Sequence, residues 1–333
     1  MMSSAATAGM LAQIRSALRP GDSVTFAFQG GEPTLAGLDY FRRFSEIVDA
    51  WGSSVTVHYA LQTNAMLLDD AWCEYLRKYD YLVGVSLDLL RDAHDAARVD
   101  AAGQGTYRPV ADAVRLLKRH GVEFNVLCTL TNSLARHPAA VWKQMLALDL
   151  RYVQFTPCLA DLNALERGPW ALTPERFASF YIQLFPLWLR DYRAGRYRSV
   201  KLFDDVIGYL ATGVPTTCDA AGECSPQLVV EADGSVYPCD FYCLDEYRLG
   251  SILEESPEAL RNGERMQAFL RRPHVRAALC SDCRYLRLCG GGCKRMQQEV
   301  YCAPEDTACG YRAFLDACMP ELLNIARLER QYR

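Results

Sequence analysis

Along the first two-thirds of the chain, short runs of β-branched and aromatic residues alternate with stretches whose apolar positions recur at helical spacing. Five runs read as strands, at 24–28, 55–61, 81–86, 122–128 and 152–157, and helices fill the gaps at about 38–50, 68–79, 107–120 and 135–148. Such a βα repeat predicts a parallel α/β sheet, open or closed into a barrel, with ligands at the C-terminal ends of the strands. Those ends are residues 29–34, 62–64, 86–88 and 157–159. An amphipathic helix with Leu11, Ile14 and Leu18 on one face comes before the first strand and stops at Pro20-Gly21. A helix opening a βα repeat predicts a further strand ahead of it. Residues 174–194 and about 197–211 read as helices leading into the last third.

Composition narrows the class. The 333 residues are 50% hydrophobic, 23% charged and 11% aromatic, which excludes disordered, collagen-like and coiled-coil chains and suffices for one large core or two smaller ones. No run approaches the ~20 apolar residues of a membrane span, and the first residues lack the basic-then-apolar order of a secretion signal. The expected location is the cytoplasm, with no membrane partner. A net charge of −4 without a Lys/Arg block gives nothing to attract nucleic acid.

The 14 cysteines are unevenly placed: only Cys73, Cys128 and Cys158 lie before residue 218. In a reducing compartment, close cysteine spacings point to metal rather than disulfides. From Cys280 the spacing is Cys-x2-Cys-x5-Cys-x3-Cys, through Cys283, Cys289 and Cys293, with Gly290, Gly291 and Gly292 between the last two. Cys218, Cys224 and Cys239 stand upstream, and Cys302, Cys309 and Cys318 downstream. Eight thiolates make two four-ligand sites, and more than eight are present. Iron-sulfur clusters and structural zinc both accept four thiolates, and spacing alone leaves the two open.

Seven blocks in order resemble the anaerobic sulfatase-maturating enzymes: FAFQGGEPTLAGLDYF at 26–41, LQTNAMLLDDAWC at 61–73, VGVSLD at 83–88, HDAARVDAAGQGTY at 94–107, QFTPCL at 154–159, YPCDFY at 237–242 and CSDCRYLRLCGGGCKR at 280–295. These are radical S-adenosylmethionine (SAM) enzymes with a C-terminal SPASM domain that carries two auxiliary 4Fe-4S clusters. The resemblance covers about residues 22–320 and implies a partial (β/α)6 radical SAM barrel missing its first strand at 1–205, followed by a SPASM domain at 206–333. By the same resemblance, Gly30, Ser86, Arg98 and Leu159 contact SAM. Cys218, Cys224, Cys239 and Cys293 hold the first auxiliary cluster, and Cys280, Cys283, Cys289 and Cys309 the second. Cys309 is preferred to Cys302 because the following Gly-Tyr-Arg-Ala-Phe-Leu looks like the family's closing block. Cys73, Cys128, Cys158, Cys243 and Cys318 are left as packing thiols. Asp240, directly after Cys239, matches the family's catalytic base.

The implied reaction oxidises a cysteine or serine of a sulfatase polypeptide to Cα-formylglycine, with flavodoxin or ferredoxin as electron donor. Two features depart from the family. After Asp88 it usually has Gly-Pro, where Leu89 and Leu90 stand here. The Cys-x3-Cys-x2-Cys of the core cluster occurs nowhere in the 333 residues, so a core 4Fe-4S cluster is expected only with a further N-terminal segment. Two other readings stay open: another SPASM peptide-modifying enzyme, such as a thioether-forming one, and a non-catalytic iron-sulfur protein that binds peptide or relays electrons.

Overall fold

A computed structural model describes residues 1–162, 166–302 and 307–331. Helix α1 (Ser4–Ala17) is capped by Ser3, whose Oγ accepts the Ala6 N–H at 3.2 Å, and it buries Thr7, Met10 and Leu11. Then β1 (Ser23–Phe28), α2 (Leu38–Asp49), β2 (Thr56–Thr63), α3 (Asp70–Lys78), β3 (Leu82–Ser86), α4 (Arg91–Ala97), α5 (Tyr107–His120), β4 (Phe124–Leu130), α6 (Pro138–Ala147) and β5 (Tyr152–Pro157) follow in turn. Two longer helices, α7 (Pro174–Arg193) and α8 (Lys201–Thr212), flank a two-residue strand, β6 (Ser199–Val200). The cysteine-rich part holds α9 (Cys218–Ala221), the short strands β7 (Val229–Val230), β8 (Ser235–Tyr237) and β9 (Gly250–Ser251), helices α10 (Pro257–Asn262), α11 (Glu264–Leu270) and α12 (Leu286–Cys289), and finally α13 (Gly310–Gln331).

The expected α/β class and parallel strands are present. Strand order follows chain order, β1-β2-β3-β4-β5-β6, and β1 with β2, β3 with β4, β4 with β5 and β5 with β6 pair in parallel, from Ser23 opposite Thr56 to Tyr152 opposite Ser199. β7, β8 and β9 form a separate antiparallel sheet. All five expected strands occur; β6, too short to leave a periodic pattern, was not anticipated.

Contacts divide the chain into two compact units, residues 1–63, 67–82 and 224–273 in one, and 64–66, 83–223 and 274–333 in the other. Each takes in both βα and cysteine-rich segments. The first is built on aromatic packing between strands and helices: Phe28 meets Phe41 at 4.9 Å, Phe41 meets Trp72 at 5.1 Å, and Tyr59 stacks on Tyr81 at 4.9 Å. In the second, Val83, Val85 and Val126 are fully buried, as parallel strands covered on both faces require. There α13 lies against α7 and α8, with Phe314 stacked on Phe203 at 5.8 Å and tilted to Tyr181 at the same distance. No helix among the described residues is long and apolar enough to cross a membrane.

Candidate functional site

The turn after β1 is set by two glycines and one carboxylate. Gly30 has φ +86° and an added Cβ would meet nothing within 4 Å, so its bareness answers to backbone conformation and leaves open space beside the turn. Glu32 Oε1 accepts the Thr34 N–H at 3.0 Å and hydroxyls from Thr34 at 2.5 Å and from Thr63 at 2.7 Å. Thr63 ends β2, so the carboxylate ties the turn to the neighbouring strand end. Glu32 was quoted in the sequence only as part of a motif, and its structural work is new here.

At the end of β3, Ser86 is half-buried, and beyond it Asp88 is 5% exposed. Arg98 Nε donates to Asp88 Oδ2 at 2.7 Å, and Arg98 Nη2 donates to Asp88 Oδ1 at 3.4 Å and Thr129 Oγ1 at 3.1 Å. The Thr129 N–H also reaches Asp88 Oδ1 at 2.7 Å. Arg98, expected against the SAM carboxylate, is thus already held by a buried acid. The rest of the His-Asp-x-x-Arg block is scaffold. His94 Nδ1 accepts the Asp88 N–H at 3.1 Å, which leaves the proton on Nε2, 3.0 Å from Thr106 Oγ1. Burial holds the His94 pKa below its usual value, which suits a neutral ring in that role. Asp95 Oδ1 accepts the Tyr107 N–H at 2.8 Å at the start of α5. Leu159, half-buried, lies just past β5, where Arg295 reaches the Ala160 carbonyl. Asp88 was read only as part of the strand end 86–88; its pairing with Arg98 shows in the fold. The signal was an acid at a buried strand end ten positions before the arginine.

The strongest convergence is among cysteines. Cys280, Cys283, Cys289 and Cys309 line one shared cavity, together with Tyr301 and Cys302. Cys289 Sγ accepts the Gly291 N–H at 3.4 Å, and Cys309 Sγ the Arg312 N–H at 3.4 Å, at the start of α13. Burial pushes the Cys289 thiol up to about 11, the Gly291 N–H pulls it back, and the sulfurs of Cys283, Cys309 and Cys280 push it further up. Mutually repelling thiols in a poorly solvated pocket ionise readily once a cationic centre sits among them. N–H groups aimed at the sulfurs are the partners that iron-sulfur thiolates take. Among the described residues no three His, Cys, Asp or Glu side chains stand close enough to hold a single metal ion. The fit to a metal centre therefore rests on the shared cavity, the thiols' electrostatic contact and the N–H donors.

The other expected quartet is divided between the units, Cys218 and Cys293 in one and Cys224 and Cys239 in the other. Cys218 opens α9, and burial raises its pKa, with Asp219 and Cys293 adding to the rise. Gly290 places this segment: a Cβ there would lie 2.0 Å from the Ala221 carbonyl oxygen, so only glycine lets the turn after α12 meet the end of α9. Asp240 is exposed, and its Oδ1 accepts the Cys239 thiol at 3.3 Å and the Phe241 N–H at 3.1 Å. Cys73, Cys128 and Cys318 are buried packing thiols, and Cys158 and Cys243 are half-buried. Cys302, left outside the expected ligand sets, is 1% exposed on the cavity wall.

Residues 7–133 match the model of the Radical SAM superfamily, and residues 222–284 that of the SPASM iron-sulfur cluster-binding domain. The chain is 37% identical over 276 residues to a cysteine-type anaerobic sulfatase-maturating enzyme of Clostridium novyi (strain NT), covering 82% of this chain and 74% of that protein. With a serine-type enzyme of Klebsiella aerogenes it shares 30% identity over 300 residues, 89% of this chain and 73% of the relative. A solved structure described as native anSMEcpe with bound AdoMet and Kp18Cys peptide superposes with a TM-score of 0.91 at 33% identity, covering 98% of this chain and 91% of that one.

Proposed function

The chain belongs to the anaerobic sulfatase-maturating enzymes, radical SAM oxidoreductases with a SPASM iron-sulfur domain, and from that premise we propose that it serves the oxidation of a cysteine or serine in a sulfatase polypeptide to Cα-formylglycine. Residues 1–205 form the SAM barrel in this reading and residues 206–333 the SPASM domain. SAM and the 4Fe-4S clusters, when bound, supply the hydrogen-abstracting radical and the exit path for the second electron. The core Cys-x3-Cys-x2-Cys does not occur in this sequence, so these residues account for SAM contact, peptide handling and electron exit rather than for radical initiation.

Gly30, Ser86, Arg98 and Leu159 would hold SAM: the open space beside Gly30 admits a ligand close to backbone, and the Arg98 guanidinium, fixed by Asp88, suits a carboxylate. Cys218, Cys224, Cys239 and Cys293 would hold one auxiliary cluster, and Cys280, Cys283, Cys289 and Cys309 the other. Asp240 takes the proton from the substrate's sulfur or oxygen. Its Oδ1 now accepts the Cys239 thiol proton. Once Cys239 is deprotonated for iron, that donor is gone and the exposed carboxylate is left to accept from the substrate. The substrate loses two protons and two electrons across its Cβ–S or Cβ–O bond, and when the substrate is cysteine water then replaces the sulfur, which leaves as hydrogen sulfide. A cytoplasmic location and a flavodoxin or ferredoxin donor suit an oxygen-sensitive, low-potential reaction.

The observation that carries this reading is the exposed Asp240 carboxylate bonded to the Cys239 thiol. Its test is a chromosomal Asp240→Asn substitution in cells grown without oxygen, with formylglycine in the resident sulfatases read by mass spectrometry. The expected result is a loss of most formylglycine while the purified variant keeps its iron. Formylglycine at unchanged yield would remove Asp240 from the role, and a thioether-linked peptide as product would replace the reading itself.

A further inference from the structure

The cavity around Cys289 holds five thiols where a 4Fe-4S cluster takes four: Cys280, Cys283, Cys289, Cys302 and Cys309 all line it. Cys302 is not a peripheral neighbour. It is 1% exposed and lines the same cavity wall as Cys309 and Cys280. Its position is fixed from two sides. It directly follows a one-turn π-helical segment, Gln297–Tyr301, whose last residue packs over Gly292 so closely that a Cβ there would lie 2.3 Å from the Tyr301 ring. The same ring meets that of Tyr311 at 4.9 Å, at the start of α13 two residues after Cys309. The Tyr301–Tyr311 contact thus holds the backbones bearing Cys302 and Cys309 on neighbouring parts of one wall. Of the two, Cys309 is the primary ligand, because its sulfur takes the Arg312 N–H at the helix start.

We propose that Cys302 is a fifth thiol of this cluster's shell, positioned to bind the iron served by Cys309 when Cys309 is withdrawn. The exchange would involve no change of oxidation state: Cys302 would bind iron as the thiolate in place of Cys309, its proton passing by way of solvent to the departing Cys309 thiolate. This inference rests on the reading that the cavity holds a 4Fe-4S cluster, and the test separates the two.

The protein and three variants, Cys302→Ala, Cys309→Ala and the double variant, are reconstituted without oxygen, and iron per chain and the EPR spectrum of the reduced protein are measured. The unsubstituted protein is expected to hold about eight irons. Cys309→Ala should also hold about eight, with an altered EPR signal, and the double variant about four. If Cys309→Ala falls to about four while the unsubstituted protein holds about eight, the fifth-ligand role is overturned and the cluster reading stands. If the unsubstituted protein takes zinc in place of iron, the cluster reading itself fails. Far-UV circular dichroism separates loss of a ligand from loss of the fold. A second readout uses Cys302→Ala alone, which keeps all four expected ligands: iron release to a chelator should be several-fold faster than from the unsubstituted protein, and an unchanged rate would overturn the proposal.

Discussion

Replacing Gly290 by alanine tests whether backbone-to-backbone contact between the turns after α9 and α12 holds the cysteine-rich segment together. Gly290 has φ +55°, a conformation that costs an L-residue about 1 to 2 kcal/mol. The added Cβ would also lie 2.0 Å from the Ala221 carbonyl oxygen and 2.9 Å from Gly222 Cα. Both are main-chain atoms that no rotamer change can move, so the two turns must separate, at an overpacking cost of about 1 to 3 kcal/mol. Together these give roughly 3 kcal/mol of local destabilisation, or about a hundredfold faster opening. Gly30→Ala is the control, since its φ of +86° carries a conformational cost while nothing stands within 4 Å of the new methyl. The assay is amide hydrogen exchange on the holoprotein, read over residues 218–223 and 286–293 for Gly290→Ala and over residues 29–34 for Gly30→Ala. Exchange in the first pair of segments should rise about a hundredfold, and the control should rise about tenfold at its own turn. Equal, small increases in the two variants would refute the claim that close approach at Gly290 organises this region.

Two further outcomes follow from buried charge. Asp88→Asn leaves Arg98 without the carboxylate that holds its Nε at 2.7 Å, in a pair whose side chains are 7% and 29% exposed. Breaking such a pair costs about 3 kcal/mol, so exchange in β4 should accelerate; no change there would show that the pair is not structural. Burial pushes the Asp204 carboxyl up to about 6, with Asp205 adding to the rise while the Ser199 and Tyr197 hydroxyls lower it. A carboxyl raised in the folded state costs nothing below its unfolded value, costs progressively more as pH climbs from about 4 to 6, and costs a constant amount above. Asp204→Asn should therefore match the parent stability near pH 4 and exceed it at pH 7 by a margin of order 3 kcal/mol. Denaturation midpoints that differ equally at both pH values would contradict this.

The βα body was legible because long, strongly periodic segments leave a clear trace. All five strands lie where runs of β-branched and aromatic residues placed them, and α7 and α8 begin and end within a few residues of expectation. β6 has only two residues and α4 only seven, too short for periodicity, and the latter was read as a motif alone. Of the expected site, Cys280, Cys283 and Cys289 were legible from spacing and Cys309 only from the family resemblance, and all four line one cavity. What it could not supply was what holds functional residues in place, since partners such as Asp88 for Arg98 or Thr63 for Glu32 meet only through the fold. Cys302 was set aside because the residues after Cys309 look like the family's closing block; its place on the cavity wall, beside Tyr301 packed over Gly292, shows only in the fold.

The central claim is that the cysteine-rich segment carries two iron-sulfur centres in the service of radical SAM chemistry. Mössbauer spectroscopy with iron and acid-labile sulfide analysis of the protein, reconstituted without oxygen, tests it most directly. The account predicts about eight irons per chain with matching sulfide, all in cubane clusters. Tetrahedral zinc on the same thiols, with no bound sulfide, would contradict it.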